Sequence, residues 1–197
     1  MKKVFIVGHA KSGSTLVASQ LERYFSTSTF GKEPNFFDYR NGVNNLSDFK
    51  KKDLIRYEKS FNRPSKTLDA NPWNIGENSA KLIHQYFPDS HIIICQRDPV
   101  KRLFSQYEHY LRINELNGEA AISLAELLSD ETLMKTKLID KQNYESSGGV
   151  LSTYPPMPIE LLRGSNTSET FQIYSKYFSK EKIYVFDLDQ QKNEDDI

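Results

Sequence analysis

Two short stretches carry residues suited to holding an anion. The first is "GHAKSGST" at 8–15, where Gly8, Gly13 and Thr15 keep the spacing of the phosphate-binding signature G-x-x-x-x-G-K-[ST] while Ser14 stands in the lysine position. Lys11, three residues earlier, supplies the cation instead. A glycine turn between a strand and a helix offers backbone N–H groups to an anion, and the helix dipole adds a favourable field. In the standard loop the lysine reaches the β- and γ-phosphates, so a loop with Ser14 there is poorly equipped for a nucleoside triphosphate. A turn that serves packing alone is the competing account. The second stretch is "RDPVKRLFS" at 97–105. Arg97 can grip a phosphate bidentately, and Ser105, about two helical turns later, can add a hydroxyl. Taken alone, this pattern equally describes a surface ion pair.

The elements that must position these residues follow from periodicity. "KVFIV" at 3–7 is a β-branched and aromatic run ending at Gly8, after which Leu16, Leu21 and Phe25 take helical spacing. The unit recurs at "HIIICQ", 91–96, followed by helical "VKRLFSQYEHYLR" with Pro99 suited to a first turn. "KIYVFDL" at 182–188 follows a segment whose Phe171, Tyr174, Tyr177 and Phe178 share a helical face. Shorter strands are predicted at 26–31 and 66–70, and surface helices in "SDFKKKDLIRYEKSF" and "GENSAKLIHQYF", the lysines of the first forming a solvated face. Strands alternating with helices predict an α/β fold, a P-loop-like three-layer arrangement around a central, mostly parallel sheet. Ligands then sit beyond the carboxyl ends of the strands, where the loops after Val7, Gly31, Asp69 and Gln96 should converge.

The 197 residues suit a single domain, predicted over 1–189, with 143–158 as a long loop and 190–197 as an acidic, disordered tail. Lysine plus arginine equals aspartate plus glutamate at 26 each, which argues against nucleic acid or an anionic membrane as partner and makes any basic site local. The start runs straight into a strand, with no room for a signal peptide, and no apolar run is long enough to span a bilayer. The lone Cys95 sits in an apolar run and is expected to be buried. A cytoplasmic protein is expected, with no metal site.

The pair "AKSGST" and "RDPVKRLFS" resembles the sulfotransferase family, which uses 3′-phosphoadenosine 5′-phosphosulfate (PAPS) and releases 3′-phosphoadenosine 5′-phosphate (PAP). The resemblance runs from Val4 to about Asp189. It implies that Lys11, Ser12, Gly13, Ser14 and Thr15 embrace the 5′-phosphosulfate, with Arg97 and Ser105 on the 3′-phosphate. Lys11 would then stabilise charge developing as sulfur leaves. "FGKEPNFFDYR" at 30–40 resembles the segment carrying the catalytic glutamate of members that modify carbohydrate or tyrosine hydroxyls, which places Glu33 as general base. "LDANPWNIG" at 68–76 is similar to the segment lining the acceptor site, with Asp69, Asn71 and Trp73 as acceptor contacts and Ala70 where some members carry a lysine.

The resemblance therefore implies metal-independent sulfonate transfer to a hydroxyl or amine of a small-molecule, glycan or lipid acceptor. Two other readings stand beside it: a non-catalytic PAP-, nucleotide- or glycan-binding protein of the same fold, and a P-loop kinase, whose magnesium-holding strand "IYVFD" imitates up to Asp187. Of the four histidines, His9 alone lies in a motif and, with Asp69, is an alternative base, whereas His84, His91 and His109 sit in segments without chemical pattern.

Overall fold

Apolar runs without polar alternation, such as "VFIV" and "IIIC", are what strands buried on both faces require. In the computed structural model they lie side by side at the centre of one sheet. The structure describes residues 2–29, 31, 33, 34, 36, 37, 51–63, 65–118, 120, 122–129, 131 and 167–191. Among these, strands β1 (Lys2–Val7), β2 (Ser26–Thr27), β3 (Lys66–Ala70), β4 (His91–Gln96) and β5 (Ile183–Asp187) form a sheet of order β2-β3-β1-β4-β5. Every pairing is parallel, with Phe5 opposite both Asp69 and Ile92. The chain thus leaves central β1 toward one side of the sheet and later returns to build the other. That reversal makes the crevice at the strands' carboxyl ends.

The two-residue period of the strands sorts their side chains into two cores. Phe5, Val7, Ile92, Ile94 and Ile183 face helices α2 (Lys51–Lys59), α3 (Glu77–Tyr86) and α6 (Thr167–Ser175), which contribute Tyr57, Leu82, Ile83 and Tyr174. Val4, Ile6, Leu68, Ala70 and Cys95 face α1 (Ser14–Leu21) through Val17 and Ala18. Helices on both faces of the sheet give the expected three layers. In the first core Phe37 and Tyr57 meet edge to face at 4.8 Å between centroids, with Phe87 6.0 Å from Phe5. Each such ring contributes about 1.5–3 kcal/mol by burial. Lys3 is buried among them, its Nζ 4.3 Å from the Phe87 centroid.

Two of the predicted elements differ. The strand expected at 26–31 contains two residues, because Ser28 leaves the ladder to bridge Gly31 and Phe61. In α1 the buried face is Val17 and Ala18, while Leu16 is 41% exposed. Leu21 ends the helix and Phe25 packs from the turn beyond it. The predicted loop at 143–158 and residues 192–197 of the tail predicted over 190–197 lie outside the described residues, while Gln190 ends a 3₁₀ turn and Gln191 Nε2 donates to the Asp187 carbonyl at 3.2 Å.

The chain divides into two compact units, Met1–Arg97 with Asn166–Ile197, and Asp98–Ser165. The second contains α4 (Pro99–Asn117) and α5 (Leu124–Leu127). Pro99 opens α4, Asp98 caps it by accepting from the Lys101 N–H at 2.9 Å, and Gly118 closes it at φ 69°. Tyr107 Oη donates to the Ile122 carbonyl, fastening the chain ahead of α5 back onto α4.

Candidate active site

Beyond Val7 the chain turns back over β4. Gly8 sits at φ +129°, and a Cβ there would lie 2.4 Å from the Cys95 carbonyl oxygen, so the close approach of the two backbones admits glycine alone. Lys11 adopts the left-handed conformation at φ 68°, uncommon for a residue with a side chain. Gly13, at φ 97°, is the N-cap of α1 and supplies no side-chain cap. The first turn of α1 therefore presents its N–H groups with no hydroxyl or carboxylate of the cap residue covering them, the arrangement that favours an anion. Ser12 and Ser14 are buried in this turn and Thr15 is exposed.

Arg97 leaves β4 toward the same loop. Its Nη1 donates to the Lys11 carbonyl oxygen at 3.4 Å, while its Nε is buried without an acceptor among the described residues. A buried, unsatisfied guanidinium N–H costs about 1–3 kcal/mol, so the arginine is set to receive another acceptor. Next to it, Gln96 Nε2 donates to Asp187 Oδ2 at 2.9 Å, and Asp187 Oδ1 accepts from the Asp189 N–H. Both carboxylate oxygens of Asp187 are thus engaged within the fold. Lys11, Ser12, Gly13, Ser14, Thr15 and Arg97 are brought together; Ser105, half-buried on α4, belongs to the second unit.

Glu33 is half-buried on the segment that follows β2. That segment is tied at both ends: the Thr29 N–H donates to the Ser60 carbonyl at 2.6 Å, and Ser79 Oγ donates to the Phe37 carbonyl. Phe37 is itself inserted among Phe5, Tyr57 and Phe87.

β3 spans the predicted 66–70, and the two-residue period turns Asp69 into the core with Phe5 rather than leaving it at the start of the loop. Asp69 is 1% exposed, and its charge adds to burial in pushing the phenols of Tyr57 and Tyr174 well above their ordinary range. Asn71 makes an Asx turn, Oδ1 accepting from the Trp73 N–H at 2.9 Å, and leaves Trp73 half-buried. Two residues that sequence reasoning passed over hold this turn: Tyr174 Oη donates to the Asn74 carbonyl at 2.6 Å. Tyr174 was visible as part of an aromatic stripe, and nothing in a stripe tells a hydrogen-bonding tyrosine from a packing one.

His9 is half-buried in the first loop. His84 packs on Tyr177 and Phe178, and His91 on Tyr184, as structural rings do.

Residues 1–183 match the model of the sulfotransferase domain. The chain belongs to the sulfotransferase family. Among solved structures, this sulfotransferase is similar to the sulfotransferase from Alicyclobacillus acidocaldarius, with a TM-score of 0.61 and 18% identity, over 94% of this chain and 72% of that one. At that identity the likeness is one of fold. A search of curated proteins gave no match. Among its described residues the sulfotransferase has no helix long and apolar enough to cross a membrane.

Proposed function

We propose that this sulfotransferase takes its sulfonate from PAPS and passes it to an acceptor hydroxyl or amine, with Lys11 and Glu33 as the catalytic pair. The observation that carries the donor half is the buried Arg97 Nε without an acceptor among the described residues, beside the uncapped start of α1. On this reading the backbone N–H groups of 12–15 take one anionic end of the nucleotide and the Arg97 fork takes the other. PAPS supplies sulfonate as a mixed anhydride with phosphate, and PAP remains.

The chain's own groups do the rest. On this reading Lys11, whose backbone takes the left-handed conformation, supplies positive charge where negative charge grows during transfer. Glu33 accepts the proton of the acceptor hydroxyl. Asn71 and Trp73, set by the Asx turn, flank the acceptor. Incubation with radiolabelled PAPS and a panel of hydroxyl- and amine-bearing acceptors tests this reading: label must move to an acceptor in step with PAP formation. PAP binding without transfer to any acceptor class would instead support a non-catalytic nucleotide-binding protein.

A further inference from the structure

Beside β2, on the α2 side of the sheet, lies a cavity of 330 Å³ lined by Thr29, Lys52, Ile55, Arg56, Lys59 and Ser60. Lys52, Arg56 and Lys59 are spaced i, i+4, i+7, which stacks them along one face of α2. No carboxylate lines the cavity, and neither Lys52 nor Lys59 has an ion-pair partner among the described residues. Like charges at this spacing oppose helix formation slightly, so the fold itself does not reward the cluster. The other wall is hydroxyl-bearing and braced: Ser28 Oγ donates to Ser60 Oγ at 2.9 Å, and Ser60 Oγ to the Tyr57 carbonyl at 2.6 Å. The Arg56 guanidinium stands 5.9 Å from the Phe36 ring centroid, which steadies it.

We infer that this cavity binds a negatively charged group of the acceptor, a carboxylate or sulfate, so that the natural acceptor is anionic. The inference rests on the reading of Glu33 as base. Thr29 precedes Glu33 by four residues, which limits their separation to roughly 14 Å. An acceptor anchored by its negative group in the cavity therefore has its reacting hydroxyl within a short span of that carboxylate. Lys52, Arg56 and Lys59 with the Thr29 hydroxyl suit a tetrahedral or planar oxyanion.

Site-resolved NMR on the full chain tests this with inorganic sulfate as the probe, added after saturating PAP and compared with sodium chloride at equal ionic strength. Backbone amides of Thr29, Lys59 and Ser60 should shift saturably, with a dissociation constant of about 1–10 mM. Arg56→Ala should weaken that affinity about tenfold, and Lys59→Ala should weaken it about threefold. Sulfate shifts no larger than those of chloride, or shifts undiminished in both variants, overturn the inference. The PAP step is an internal control: absence of PAP-induced shifts at Gly13–Thr15 would instead count against the donor reading itself.

Discussion

Arg97 Nη1 donates to the main-chain oxygen of Lys11 across 86 positions of sequence, tying the exit of β4 to the turn after β1. Arg97 and the loop that carries Lys11 are thus tied directly to each other. Arg97→Ala should weaken PAP binding by about 1.5–3 kcal/mol, the scale of a lost charge-assisted contact. Calorimetry with PAP and AMP in parallel checks the assignment. PAP should lose more than AMP, and a loss confined to AMP would remove Arg97 from the 3′-phosphate.

Binding and chemistry separate at Lys11 and Glu33. Lys11→Ala should lower turnover by about 10² to 10³-fold with a smaller loss of PAP affinity, because its charge acts mainly in the transition state. Glu33→Gln keeps the shape and removes the proton acceptor, so PAP should bind as before while turnover falls by roughly 10² to 10⁴-fold. Near-normal turnover in the glutamine variant would move the base to His9.

The turn at Gly8 admits no side chain. Gly8→Ala would place its Cβ against the Cys95 carbonyl at a φ of +129° and should cost more than about 3 kcal/mol in chemical denaturation. A fully stable alanine variant would contradict the described path of the loop over β4.

Lys3 offers a test by pH. Burial lowers its folded-state pKa below 10.5, against the pull of Glu58 and Asp69. Between the folded pKa and 10.5 the unfolded chain binds more protons, so this group's contribution to stability rises with pH through that window and is least favourable below it. Lys3→Met should therefore stabilise the protein at neutral pH by about 1 kcal/mol, with the gain shrinking as pH approaches 10. The raised phenols of Tyr57 and Tyr174 are common to both proteins and drop out of the difference. A gain independent of pH would mean that packing, not charge, sets the effect.

How far the sequence could be read is itself physical. Gly8 and Gly13 were legible because a glycine after a β-branched run and before a helical one has few structural uses, and the parallel sheet followed from strands alternating with helices. The buried face of α1 was not, since "STLVASQL" carries apolar residues on more than one side. The strand at 66–70 was legible, but the burial of Asp69 was not: its neighbours Lys3, Tyr57 and Tyr174 come from three other elements that spacing along the chain does not reveal. Tyr174 meets Asn74 from 100 residues away. The basic stripe of α2 likewise read as a solvated face until the fold set Thr29 and Ser60 opposite it.

The donor assignment is tested most directly by thermal unfolding of the full chain with PAP, AMP or Mg-ATP, with and without a metal chelator. A ligand that binds the folded state alone raises the midpoint in proportion to its affinity. PAP should raise it most, equally with chelator present, AMP less, and Mg-ATP little, and the PAP shift should collapse in Arg97→Ala. Stabilisation by Mg-ATP but not by PAP would contradict the account and assign the loop after β1 to phosphoryl transfer.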